Sequence, residues 1–260
     1  MGKPRNMPLG TDLSGRTAVV TGGISGLGRA IAERLVQGGA NITVVDTADG
    51  LSKAALPGGW NSFVADLGAL DCQTHLLSLA DSLESVDIVI ANAGIVPPWR
   101  GVASLDPAEW QRVMAVNVWG VAATLGAFAG ALARSGRGSA VVMASINGYR
   151  AHPSQMLYTA SKHAVIGVMR AAALELGAAG TRVNALAPGP IATDALVSRI
   201  ATRHAAGGPE VETTLASMAA DTALKRMVTP AQVAAAAYWL ASDASAGITG
   251  IVVPVEAGLP

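Results

Sequence analysis

The chain has 260 residues, with 18 basic and 18 acidic side chains and a formal net charge of zero. That balance excludes the concentrated positive field of a nucleic-acid or anionic-membrane binder. The single cysteine, Cys72, excludes an intrachain disulfide framework and a cysteine metal cluster.

The four histidines, His75, His152, His163 and His204, show no metal-ligand spacing, so no metal is expected. No apolar h-region follows the basic residues near the N-terminus, and the cysteine usage suits a reducing cytoplasm. The length suits one domain over 1–260, with 1–12 as a flexible tail.

In chain order, short apolar β-branched runs alternate with longer helical stretches. The runs cover 16–21, 41–45, 62–65, 86–91, 139–144, 182–187 and 248–253. Continuous apolar runs of this kind are strands buried on both faces, as in a parallel sheet. A helix is expected over 26–37, with Leu27, Ile31, Ala32 and Leu35 on one stripe and a stop at Gly38-Gly39. Asp106-Pro107 opens a second, with Asp106 as N-cap. A third covers 158–176, and Thr229-Pro230 opens a fourth that runs to about Ala241.

The segment after the second strand carries Gly50, Pro57, Gly58 and Gly59, so its helix is expected to be stunted. The uncharged stretch 113–133 is long enough to span a bilayer, but Asn117 and many small residues make it a packed helix instead. The spacing weakens over about 188–227, a segment of the length that forms a lid over a site. Repeated strand–helix–strand units predict an α/β fold, a doubly wound parallel sheet of seven strands with helices on both faces.

Two constellations carry chemistry. Gly22, Ser25, Gly26, Leu27 and Gly28 follow the first strand and open a helix, where backbone N–H groups can approach a pyrophosphate. Asp46 ends the second strand, placed to accept bonds from ribose hydroxyls and to repel a 2′-phosphate, which favours NAD over NADP. Asp66 and Leu67 follow the third strand and Asn92-Ala93-Gly94 the fourth. The second constellation is Ser145 with Tyr158 and Lys162. A tyrosine and a lysine four apart share a helix face, and a nearby ammonium is expected to lower the tyrosine pKa and make it a general acid/base. Asn117 in its apolar helix either serves this site or satisfies a backbone group.

Together these motifs resemble the short-chain dehydrogenase/reductase family over about 15–258, with Thr21-Gly22-x-x-x-Gly26-x-Gly28, Asn92-Ala93-Gly94, Asn117, Ser145, Tyr158-x-x-x-Lys162 and Pro188-Gly189. The resemblance implies a Rossmann-type domain with strand order 3-2-1-4-5-6-7 and hydride transfer between nicotinamide and a carbonyl or alcohol carbon. It implies Tyr158 as acid/base and Lys162 as the residue that lowers its pKa and holds the nicotinamide ribose. Ser145 is implied as the hydrogen-bond donor to the substrate oxygen, and Asn117 as holder of a water that leads to solvent. Pro188, Gly189, Ile191 and Thr193 are implied beside the nicotinamide, with Thr193 on its carboxamide. It also implies a homotetramer joined through 107–133 and 157–177.

Where relatives carry Asp-Gly-Gly near the end, this chain reads Glu256-Ala257-Gly258. Pocket walls are expected from Val96, Pro97, Trp99, Asn147, Tyr149, His152, Gln155, Met156, Leu196 and Ile200, with Arg100 and Arg150 as the nearest arginines. That set favours a largely apolar secondary alcohol or ketone. A 3-oxoacyl-thioester reductase and a nucleotide-binding scaffold without turnover are the alternatives.

Overall fold

A computed structural model of the protein describes residues 12–259; the tail expected over 1–12 lies almost wholly outside the described residues. Seven parallel strands form one sheet: β1 (Thr17–Thr21), β2 (Asn41–Asp46), β3 (Asn61–Val64), β4 (Ile88–Ala91), β5 (Ser139–Met143), β6 (Arg182–Pro188) and β7 (Val252–Val255). Their order is β3-β2-β1-β4-β5-β6-β7, as the resemblance implies.

The alternation within each strand sets the layers. In β1, Val19 enters the core on one face while Ala18 and Val20 enter the core on the other. In β4, Val89 and Ala91 divide from Ile88 and Ile90 in the same way. A strand buried on both faces has no polar side to alternate, which is why these runs read as continuously apolar. Helices α1 (Gly26–Gln37) and α9 (Pro230–Ala241) pack together on one face, and α3 (Cys72–Ser82), α5 (Gly120–Ser135) and α6 (Met156–Gly177) cover the other. The helix α2 (Ala48–Lys53) is a stub of six residues, as the glycine- and proline-rich stretch predicts.

The helices depart from expectation in three places. Helix α3 is absent from the sequence reading, although Cys72, Leu76, Leu79 and Ala80 bury one helical stripe. The expected lid segment contains two helices, α7 (Asp194–Ala205) and α8 (Val211–Ala220). The helix opened by Asp106 begins as α4 (Pro107–Met114), widens into a π-turn at Ala115–Trp119, and continues as α5. This combined helix, Pro107–Ser135, is long and apolar enough to cross a membrane, and half of its most apolar window is buried.

The last strand begins later than the 248–253 run. Residues 248–250 serve β6 instead: Ile248 O accepts from Asn184 Nδ2 at 2.9 Å, Thr249 Oγ1 accepts from Val183 N at 3.0 Å, and Gly250 N donates to Val183 O at 2.8 Å. Pro254 is tolerated inside β7 because β7 is an edge strand.

Candidate active site

The strand order reverses between β1 and β4, so the loops that leave their carboxyl ends diverge and open a crevice. A side-chain lock holds that point. Thr21 Oγ1 accepts from the N–H groups of Asn92 and Ala93 at 3.0 and 3.1 Å. Asn92 Nδ2 donates back to Thr21 O and Gly22 O at 3.0 and 3.1 Å. The turn into α1 then folds tightly on itself: a Cβ at Gly28 would lie 2.0 Å from Gly22 O, so no other residue fits there. Gly26 has φ +53° with open space where a Cβ would stand.

A cavity of about 1470 Å³ runs along this edge of the sheet. It exceeds the roughly 300–1,000 Å³ of a site for one drug-sized ligand. Its nucleotide end is lined by Gly22, Ser25, Gly26, Leu27, Gly28, Asp46, Asp66, Leu67, Asn92, Ala93 and Gly94. Its other end holds Ser145, Tyr158 and Lys162, with Pro188, Gly189, Ile191 and Thr193 beside them. Of the expected pocket residues, Val96, Trp99, Asn147, His152, Gln155 and Leu196 line it. Tyr149 and Met156 are exposed outside this wall; Met156 and Pro97 line a small separate hollow, and Ile200 is buried in the body of the protein.

The nucleotide end suits an anion and a ribose. The N-cap Ser25 makes no side-chain cap and the first turn of α1 has no acidic residue, so its amides remain free for phosphate oxygens. Asp46 accepts the Thr47 N–H at 2.9 Å. Burial raises its pKa above the ordinary carboxylate value against the hydrogen bonds from Thr47, and among the described residues no cation opposes the shift. Such a carboxylate has acceptor capacity left for hydroxyl groups. Asp66 is occupied on one oxygen by Gly68 N at 2.8 Å. The features fit an adenine dinucleotide.

At the other end, α6 carries Tyr158 and Lys162 under the end of β5. Lys162 is 4% exposed, and its ammonium donates to Met143 O at 2.8 Å. Burial pushes its pKa down to about 8. Tyr158 is partly open to the cavity, with Lys162 Nζ 5.8 Å from its ring centre. The sequence predicts a lowered Tyr158 pKa; here burial raises it, opposed by a hydrogen bond from Ser145 and by the charge of Arg199. The reason is that Lys162 is spent on a carbonyl and partly neutralised by its own burial.

Ser145 Oγ accepts from Asn147 N at 3.2 Å and turns its own proton towards Tyr158. Asn147 is itself held by Gln155 Oε1 at 2.9 Å and Thr159 Oγ1 at 3.2 Å. Thr193 caps α7, its hydroxyl accepting from Leu196 N at 3.3 Å. Asn117 sits fully buried in the π-turn behind the wall. Its amide exchanges two bonds with Ile95, at 2.8 and 2.9 Å, and donates to Ser161 Oγ at 3.2 Å. It therefore satisfies backbone, while a Cβ at Gly94 would lie 3.3 Å from Asn117 Oδ1 and 3.7 Å from Lys162 Nζ.

The arginines differ from expectation. Arg100 is held by Glu109 at 2.9 Å and Arg150 donates to Leu259 O at 2.8 Å, and neither lines the cavity. Arg112 and Arg199 do. Arg199 belongs to α7, whose signals were present: Thr193 before Asp194, then Leu196 and Ile200 buried one turn apart.

Residues 22–260 match the profile of the family described as enoyl-(acyl carrier protein) reductase. The chain is 32% identical over 259 residues to the short chain dehydrogenase/reductase astE of Aspergillus oryzae, covering 95% of each chain. It is 32% identical over 257 residues to the cis-4-hydroxycyclohexanecarboxylate dehydrogenase of Sinomonas cyclohexanicum, covering 96% of this chain and 98% of the relative. The structure of carveol dehydrogenase from Mycobacterium avium in complex with NAD superposes with a TM-score of 0.85 at 29% identity, covering 95% of this chain and 98% of that one.

Proposed function

Since the chain belongs to the short-chain dehydrogenase/reductase family and is an oxidoreductase, we propose that it interconverts a secondary alcohol and a ketone with NAD(H), on a substrate with a largely apolar body. The observation that carries this reading is the convergence of Ser145, Tyr158 and Lys162 at one end of a cavity whose other end offers open helix amides and Asp46. A scaffold that only binds nucleotide has no use for a buried lysine and a hydrogen-bonded tyrosine–serine pair. The relatives named above, with a hydroxycyclohexanecarboxylate and carveol in their names, support a cyclic alcohol.

In this reading Gly26, Leu27 and Gly28 hold the pyrophosphate, Asp46 the adenosine ribose, and Lys162 with Thr193 the nicotinamide side. The dinucleotide supplies a hydride acceptor or donor when bound. Tyr158 Oη gives its proton to the carbonyl oxygen in reduction and takes the hydroxyl proton in oxidation. Burial favours the neutral phenol, the form that acts as the acid. Ser145 donates a hydrogen bond to the same oxygen and stabilises charge that develops there. The hydrogen bond from Ser145 favours the phenolate needed in the oxidative direction. Asn117 positions Ile95 and the π-turn around Lys162. Assembly through Pro107–Ser135 and α6 into a homotetramer belongs to the same proposal.

A second reading, reduction of a 3-oxoacyl thioester, is favoured by the description of the matched profile. Against it stand Asp46 without a nearby cation, which disfavours NADPH, and the zero net charge. Absorbance at 340 nm separates the two. NAD⁺ and NADP⁺ are each offered cyclic, aryl and aliphatic secondary alcohols and a 3-hydroxyacyl thioester. The expected outcome is NAD⁺-selective turnover of a bulky alcohol. NADPH-selective action on the thioester pair, run in reverse, would replace the first reading with the second.

A further inference from the structure

The substrate end of the cavity contains a cation that the proposed chemistry does not require. Arg199 lines the wall and is partly buried. Its Nε makes one long bond, 3.3 Å to Ala195 O, and among the described residues it has no carboxylate partner. Its guanidinium lies 5.6 Å from the ring centre of Trp99, which fixes its position against an aromatic face. Tyr158 is the titratable group whose charge Arg199 feels, so the guanidinium is near the reacting end. Arg112 belongs elsewhere: Val116, one turn along the same helix, packs against Gly68 at the nucleotide end.

A second polar group on the same wall is also unmatched. His152 Nε2 is buried and has no hydrogen-bond partner among the described residues. Arg199 has no carboxylate to neutralise it and His152 Nε2 is buried without a hydrogen bond, an imbalance that a ligand relieves when it supplies the missing partners. Val96, Trp99, Ile146 and Leu196 give this lining an apolar part, beside the polar Asn147 and Gln155 and the acidic Asp194 and Asp221. One planar guanidinium without a carboxylate partner matches one planar carboxylate, which it can bind through two parallel N–H···O bonds. A phosphate dianion calls for more donors than this wall holds.

We propose that the substrate is a hydroxy monocarboxylate, or the corresponding oxo acid, whose carboxylate pairs with Arg199 and whose approach gives His152 Nε2 a partner. This rests on the dehydrogenase reading above. Arg199 also has a structural part, because Arg203 stacks on the same Trp99 ring from 5.3 Å and the two arginines fasten α7 to the loop after β4. The test has to separate recognition from fastening.

The full chain is assayed with NAD⁺ on 3-hydroxy-3-phenylpropanoate and 3-hydroxycyclohexanecarboxylate, each beside its methyl ester. The wild type is expected to prefer acid to ester by about thirty-fold or more in kcat/KM, the scale of one charge-assisted pair. In Arg199→Met that ratio collapses towards one, and Arg199→Lys restores part of it. Arg203→Met, which removes the other half of the stack, keeps the ratio. The proposal is overturned if the wild type takes acid and ester equally, or if Arg199→Met and Arg203→Met lower both by the same factor. Calorimetric titration with benzoate and benzamide gives a readout without turnover. If no alcohol is oxidised but benzoate binds in preference and Arg199→Met abolishes that preference, the anion site stands and the dehydrogenase reading falls. If alcohols are oxidised while benzoate and benzamide bind alike, the reverse holds.

Discussion

The two ends of the cavity are built from different material. Under β1 and β4 the wall is mostly backbone: the glycines of the first turn, the uncapped amides of α1, and strand-end carbonyls locked by Asn92. Around Tyr158 the wall is side chains, drawn from the loop after β4, the segment after β5, α6 and α7. Backbone donors need no desolvated charge and little ordering of side chains. A side-chain site must bury titratable groups and hold them, which costs stability. The nucleotide end is therefore inexpensive to fold, and the chemical end is where the fold stores its unfavourable terms.

The sharpest way to break this division is Tyr158→Phe. It removes one oxygen from the chemical end and leaves the nucleotide end intact. Turnover should fall by about 10²–10⁴, the usual contribution of a positioned acid/base, while NADH affinity, followed by its fluorescence, stays close to wild type. Activity above about a tenth of normal would take Tyr158 out of the proton transfer. A parallel loss of NADH binding would show that the two ends are not separable.

The same division explains what could be read in the sequence. Gly22, Gly26, Gly28 and Asn92 act within a few residues of one another or across one strand pair, so their spacing carries the message. The apolar runs identify six strands closely, because a strand buried on both faces leaves few options. The seventh misleads because Ile248 and Thr249 look like strand residues yet bond to Asn184 and Val183 as a turn. Arg199 reaches the cavity only because α7 folds back over Trp99, 100 residues earlier in the chain, and no local pattern encodes that contact. The π-turn around Asn117 is equally silent, since its residues also suit an ordinary helix. Helices α3 and α7, by contrast, had legible signals in Leu76, Leu79 and Ala80 and in the Thr193 cap.

Lys162 tests the cost of the chemical end directly. Its pKa is pushed from 10.5 to about 8 by burial, a penalty of roughly 3 kcal/mol when the group is charged. The sign follows from proton binding. The unfolded chain holds the proton up to 10.5 and the folded chain only to about 8, so the penalty is full below pH 8 and fades as pH rises towards 10.5. The uncharged, unbranched Lys162→Met, without cofactor, should raise stability to urea at pH 7 by about 1–2 kcal/mol, after allowing about 1 kcal/mol for the lost bond to Met143 O. The advantage should shrink or vanish at pH 10. Equal or lower stability of the variant at pH 7 would mean that the Met143 bond outweighs the desolvation and that this end carries no stored cost.

The smallest expected effect concerns Asp46, the nucleotide end's one selective side chain. The amides of α1 bind any pyrophosphate, so they cannot tell NAD from NADP. Discrimination has to come from a charge beside the ribose, and Asp46 has no neighbouring cation to cancel its own. Asp46→Ala removes two things at once: an acceptor for the ribose hydroxyls and a repulsion against a 2′-phosphate. NAD⁺ affinity should fall and NADP⁺ affinity rise, narrowing the ratio of kcat/KM values by about tenfold, the effect of roughly 1.4 kcal/mol. The preference should not invert, because the variant supplies no cation for the phosphate. Unchanged affinity for both cofactors would mean that the ribose lies away from β2, and that the nucleotide end is backbone alone.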